Sequence, residues 1–308
     1  MFCKKKATLL VAILCVFAVS FVACSKKDAA SSGAATGADG ATSQEVTKAD
    51  KKAEEKKAKA EAKKAKESKK GSSKVKLPTT PNAEEDFIVQ LTEDGTGARV
   101  TGYTGKSGGV YVPATIQGLP VKEVSFGIDD DGVETAVVVS DGCTYFAVYG
   151  DGSSSIKYIS LPDSVTEYKG LEDTSITEFE VPAGVKKVER LPPTLEKISF
   201  RGAPEVIRSL AFSSNTKIKT FTLPDSIKII GEGAFGNCIA LESINLPASL
   251  EESEGSIFRG CSNLKEIIIP DSLTSVSFHS YQSEFYGCSS LSLAMQARLK
   301  QLGYKGSF

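Results

Sequence analysis

One apolar pattern, Leu-x-x-Ile-x-Leu-Pro, returns along most of the chain and leaves it few folds. The copies are Ile156-Lys-Tyr-Ile159-Ser-Leu161-Pro162, Ile176-Thr-Glu-Phe179-Glu-Val181-Pro182, Leu195-Glu-Lys-Ile198-Ser-Phe200, Ile218-Lys-Thr-Phe221-Thr-Leu223-Pro224, Leu241-Glu-Ser-Ile244-Asn-Leu246-Pro247 and Leu264-Lys-Glu-Ile267-Ile-Ile269-Pro270. Residues 133–138 fit one step earlier. From Val133 to Leu291 the first positions recur at intervals of 23, 20, 19, 23, 23, 23 and 27 residues. Units this short cannot bury an apolar face alone. Stacked in series they bury a continuous one, so the spacing predicts a solenoid.

Within a unit, the alternation makes a short strand whose fourth and sixth positions point inward while the third and fifth face solvent. Proline cannot continue a ladder, so it closes the strand, and Asp-Ser or Ala-Ser completes the turn. An apolar anchor follows at Val165, Val185, Ile227, Leu250 or Leu273. Phe212, Phe235, Phe258 and Phe285 each stand six residues before a strand motif, and the last three continue as Phe-x-x-Cys. Phe235 is therefore expected in the core. Cys238, Cys261 and Cys288 occupy equivalent places on adjacent coils, where side chains point the same way; they are expected as buried free thiols, with a Cys238–Cys261 disulfide as the alternative.

The ends differ from this body. Residues 1–23 read as an export signal, with Lys4, Lys5 and Lys6 ahead of an uncharged apolar run. Phe21-Val22-Ala23-Cys24-Ser25 resembles a bacterial lipobox, which implies a mature protein anchored in a membrane through acylated Cys24. An ordinary cleaved signal and a membrane span are the alternatives. Residues 24–82 are then a lipid-anchored, flexible, partly helical Ala/Lys/Glu-rich tether, too poor in large apolar residues to join a core. Residues 1–70 hold 16 Lys against 8 acids, whereas the rest holds 21 basic and 30 acidic residues. That acidic excess argues against nucleic acid as a partner. Residues 83–128 are expected as an N-terminal β cap with a hairpin turn at 93–97. Residues 129–291 hold the repeats, and 292–308 form a helical cap with Met295, Leu299 and Leu302 on one face and Gly303 as its stop.

The stretch Ile229-Ile230-Gly231-Glu232-Gly233-Ala234-Phe235-Gly236-Asn237-Cys238, followed by Leu241 and Ile244, resembles the BspA-type leucine-rich repeats of bacterial surface proteins, in particular short spirochaete lipoproteins. Residues 103–121 and 296–306 resemble the two ends of such proteins. The resemblance covers about residues 87–308, and the coils between Asp129 and Pro204 depart from it by being shorter and lacking the Ala-Phe and Cys positions. It implies a β-rich leucine-rich repeat solenoid, wound as a right-handed superhelix with about seven short parallel strands. It also implies a non-enzymatic envelope protein that binds other proteins, with adhesion to host matrix proteins as its function and the outer membrane, facing the surface or the periplasm, as its location. The alternative is a periplasmic scaffold that binds peptidoglycan or another envelope protein.

Sites of other kinds find little support. The chain has one His, His279, so a Ser-His-Asp triad or a His-rich metal site has almost nothing to draw on. Gly231-x-Gly233-x-x-Gly236 imitates a dinucleotide fingerprint, but the next strand begins at Leu241, where the fingerprint requires a helix. Asp129, Asp130, Asp131, Glu134 and Asp141 do not keep a calcium-loop register. His279 falls in the 277–284 insertion and is expected in an exposed loop. No metal, no small-molecule cofactor and no catalytic residue is expected. The candidate binding face is instead the two rows of third and fifth positions: Thr135 and Val137, Tyr158 and Ser160, Glu178 and Glu180, Lys197 and Ser199, Thr220 and Thr222, Ser243 and Asn245, Glu266 and Ile268. Seven strands about 4.8 Å apart would make a face roughly 30 Å long.

Overall fold

A computed structural model describes residues 75–129, 131–279 and 283–308. The signal segment, Cys24 and the tether up to residue 74 lie outside these residues. The unit Gly71–Phe308 is a leucine-rich repeat-like parallel β-solenoid of about eight turns, ending in a single helix.

Each turn carries a strand on a front sheet, built from the repeating motif. These strands are β3 (Gly109–Val112), β6 (Thr135–Val139), β8 (Ile156–Ser160), β10 (Glu178–Val181), β12 (Lys197–Phe200), β14 (Thr220–Phe221), β16 (Ser243–Asn245) and β18 (Glu266–Ile268). They pair in parallel as β3-β6-β8, β10-β12 and β14-β16-β18. The two breaks fall where coil length steps from 23 to 20 residues and from 19 back to 23.

A second sheet runs along the other side and, apart from the hairpin at its N-terminal end, is absent from the sequence reading. Its first part is β1 (Phe87–Leu91), β2 (Ala98–Tyr103), β5 (Leu119–Gly127), β7 (Tyr145–Tyr149) and β9 (Glu167–Lys169) in that order, with β4 (Thr115–Ile116) beside β5. Its second part is β11 (Lys187–Val188), β13 (Val206–Ile207), β15 (Ile229–Ile230), β17 (Glu252–Ser253) and β19 (Ser277–Phe278). The anchors Val165, Val185, Ile227 and Leu250 are buried, and strands β9, β11, β15 and β17 begin two residues after them. With only two or three residues in each strand of this sheet from β9 onward, alternation there is too short to be read from sequence.

The N-terminal segment is more than a cap. β1 and β2 form the expected antiparallel hairpin, but β5 pairs in parallel with β7 and β3 with β6, so the solenoid's first turn lies within residues 83–128. Asn82, just before this segment, already pairs with it: its N–H donates to the Tyr111 carbonyl at 3.0 Å and its Oδ1 accepts from Tyr111 N–H at 2.6 Å.

Between the sheets, the side chains stack by type. The rings of Phe212, Phe235, Phe258 and Phe285 lie face to face with centroids 5.0, 5.4 and 5.6 Å apart. Phe308, the last residue, continues the stack at 6.0 Å from Phe285. Cys238, Cys261 and Cys288 are free and buried, and their thiols donate to the carbonyls of Phe212, Phe235 and Phe258 one coil earlier. They therefore serve as donors as well as apolar filler. Asn215 takes the same place in the coil before, reaching the Leu195 carbonyl at 2.7 Å and accepting from the Lys217 and Ile218 amides. The C-terminal cap is helix α1 (Leu293–Gln301), whose N-cap Ser292 accepts from Met295 N–H. Leu299 and Leu302 are buried, Met295 half-buried, and Gly303 leaves the helix at φ 110°.

Candidate protein-binding face

The front strands place the repeat's fourth and sixth positions inward, as the alternation requires. Ile159, Phe179, Phe221, Ile244 and Ile267 are buried at the fourth; Leu161, Val181, Leu223 and Leu246 are buried at the sixth. The third and fifth positions consequently line the outer surface. Glu180, Lys197, Ser199, Thr220, Thr222, Glu266 and Ile268 are exposed, while Tyr158, Ser160, Glu178, Ser243 and Asn245 are half-buried. Within the ladders they stand side by side: Glu178 beside Lys197, Glu180 beside Ser199, Thr220 beside Ser243, Ser243 beside Glu266 and Asn245 beside Ile268.

Thr135 and Val137 do not belong to the face; both are fully buried. A β-bulge between Thr135 and Ala136 shifts the register so that Val137 stands beside Ile159 and Val138 beside Ser160. Because side chains alternate with period two, this one-residue slip exchanges the two faces of the strand. The run Thr-Ala-Val-Val-Val carries no alternation that could have fixed its register. The face is thus eight strands in three ladders, where the spacing predicted one run of seven.

Several of the candidate side chains are already engaged. Lys197 Nζ bonds the Glu178 carboxylate at 2.7 Å, and the Ser243 hydroxyl donates to Glu266 Oε2 at 3.3 Å. Asn245 is spent on structure: its amide donates to the Leu223 carbonyl at 2.9 Å and its Oδ1 accepts from Leu223 N–H at 2.6 Å. This side chain continues the pairing with the preceding coil beyond the short strand β14. Ser199, Thr220, Thr222 and Ile268 keep their outward groups available, and Ile268 leaves 56% of its surface in solvent.

The second sheet presents a different surface. Two ion pairs cross its turns, Arg208 with Glu189 at 3.2 Å and Lys228 with Glu205 at 3.2 Å. Such pairs neutralise one another and contribute little to stability. On the turn side, a groove of about 580 Å³ runs between Leu210, Glu232, Asn237 and Arg259. Leu210 sits at φ 61°, a left-handed conformation that its counterpart one coil later, Gly233 at φ 60°, adopts without strain. Sequence reasoning missed this groove, since nothing in Ser-Leu-Ala-Phe marks Leu210 as exposed.

The remaining candidates resolve simply. Gly231 belongs to a repeat turn, where a Cβ would clash with the Ser209 backbone nitrogen, so close coil approach requires glycine there. Asp131 Oδ1 accepts from Val133 N–H within its own loop. His279 is half-buried rather than exposed, and its N–H donates to Glu284 Oε1 at 3.0 Å.

Residues 193–306 match the BspA-type leucine-rich repeat region in six copies. No curated protein is significantly similar to the chain. Among solved structures, the chain is similar to a leucine-rich repeat protein of T. pallidum at 29% identity, covering 74% of this chain and 99% of that one with a TM-score of 0.49. A leucine-rich cell surface protein of Faecalibacterium prausnitzii shares 16% identity over 75% and 99% of the two chains, with a TM-score of 0.26. The pneumococcal vaccine antigen PcpA shares 15% identity over 64% and 66%, with a TM-score of 0.36.

Proposed function

Taking residues 193–306 as BspA-type leucine-rich repeats, we propose that this protein is an exported envelope lipoprotein whose front sheet binds another protein. Cys24 would anchor it in the membrane, and the segment up to residue 74 would hold the repeats away from the lipid. Adhesion to host matrix proteins is the specific activity that the family resemblance suggests. The observation that carries the reading is the set of exposed, uncharged outward residues Ser199, Thr220, Thr222 and Ile268, on a face where Lys197 is already neutralised by Glu178. A surface of hydroxyls with one exposed aliphatic residue favours contacts by shape and hydrogen bonding, with a weak response to salt.

The test replaces Tyr158, Thr220, Ser243 and Ile268 one at a time by Arg and measures binding to immobilised extracellular matrix. Loss in at least two variants with unchanged circular dichroism supports the face; wild-type binding in all four moves the site elsewhere. Protease treatment of intact and lysed cells separates the two locations. Cleavage only after lysis removes adhesion and leaves a periplasmic scaffold. Cys24→Ala is expected to give an uncleaved or soluble precursor, and a processed, detergent-partitioning variant would contradict the anchor.

A further inference from the structure

Strand β1 closes one end of the second sheet, whose order runs β1-β2-β5-β7-β9. It pairs with β2 alone, so its outer edge meets no described strand. Folded proteins blunt such edges with charged residues, proline, bulges or a covering segment. The sequence Phe87-Ile-Val-Gln-Leu91 contains no charge and no proline, and a register shift between Ile88 and Val89 is its one irregularity. Ile88 is 53% and Leu91 61% exposed. Other ends of the solenoid are treated differently: Asn82 covers β3, and Val276, just ahead of β19, donates to the Leu302 carbonyl at 3.1 Å.

The charged residues that flank β1 along the chain are all acidic. Glu84, Glu85 and Asp86 precede it, and Glu93 and Asp94 follow. Asp94 is held by Thr92, Thr96 and Lys122, and Glu84 accepts from Gln117 N–H, while Glu85 and Glu93 are exposed. Arg99, opposite Gln90, is taken by Glu123. The edge is therefore an uncharged strand bracketed by acids at both ends.

We propose that β1 is a docking edge for an extended peptide segment of a partner protein, with an apolar centre and basic residues at both ends. Strand addition to an open edge satisfies the backbone groups of both chains. A second copy of this chain fits badly. Paired antiparallel, its Glu84–Asp86 would face Glu93 and Asp94; paired in parallel, each acidic cluster would face its own copy. Like charges opposite one another are destabilising in both cases. A strand with Lys or Arg at both ends meets acids in either direction. This edge lies on the second sheet, so it stands or falls independently of the front face.

The experiment titrates the full chain into the fluorescein-labelled peptide KKVTVTVKK and follows anisotropy, beside EEVTVTVEE and a KKVTVTVKK carrying N-methyl groups at alternate amides. The lysine peptide is expected to bind at least about tenfold more tightly than the other two. Glu85→Lys/Glu93→Lys should reverse the order of the charged peptides; if it fails to fold, Glu85→Gln/Glu93→Gln should narrow the difference. Ile88→Lys should weaken all strand binding. Equal binding of the charged peptides, absence of binding, or indifference to N-methylation overturns the proposal. So does a dimer in sedimentation that Ile88→Lys separates, because the occupant is then a second copy.

Discussion

Phe235 and Glu284 mark the two ends of what a single residue discloses. Phe235 is 1% exposed, stacked between Phe212 and Phe258 and met edge-on by Phe221 at 5.2 Å. Phe235→Ala is expected to lose about 3–5 kcal/mol in urea denaturation, with the loss spreading into neighbouring coils; an unchanged midpoint would contradict the ladder. Its burial was legible because four phenylalanines keep one distance from their strands. Glu284 was not legible. Its carboxylate is fully buried, Oε1 accepts from His279 N–H, and the Ser253 hydroxyl lies close by. Burial, opposed by those neighbours, raises its pKa above 4.5. A carboxyl whose folded pKa is raised leaves stability intact below the unfolded pKa and loses it as pH climbs through the folded one. Glu284→Gln should therefore melt like the wild type below about pH 4 and at increasingly higher temperature than it as pH rises past the ordinary carboxylate range, as scanning fluorimetry across that range would read. The thiols follow the same logic: burial pushes Cys143 and Cys288 up to about 12, so they stay protonated and inert at neutral pH.

Elements were legible in proportion to how much pattern they carry. The front strands repeat an alternation seven residues long, and the structure keeps their inward positions. β6 is a run of apolar residues with no alternation, and its register was lost along with Thr135 and Val137. The second sheet, made mostly of two- and three-residue strands beyond β9, lies under the length at which periodicity speaks. Asn245 illustrates the same limit at the candidate face: its spacing places it outward, but only the neighbouring coil shows that its amide is spent on Leu223. Helix α1, by contrast, announces itself through Ser292 at its start and Gly303 beyond its end. With nine residues it depends on its cap. Ser292→Ala is expected to destabilise the last coil by about 1 kcal/mol, seen as faster amide exchange at Leu299 and Leu302 with the front strands near β6 unaffected.

At the scale of the whole molecule, three stacks run in parallel through the later turns: rings, thiols and sheet edges, each advancing one step per coil. Where coils keep 23 residues from Ile218 to Leu264, those steps coincide, and both sheets pair without a break. Where coil length changes after β8 and after β12, the front ladder parts. The gene for such a chain can therefore lengthen or shorten by unequal crossing-over most simply in whole quanta, within the region where the quanta are equal. Excising residues 241–263 joins Ala240 to Leu264, leaves Phe235 and Cys238 in place to meet Phe285 and Cys288, and is expected to yield a cooperative, folded protein one turn shorter. Removing the same number of residues from 150 to 172, across unequal coils, is expected to yield an insoluble one. Expression and thermal melting of the two deletions would show whether this lineage could vary its reach by copying one segment of itself.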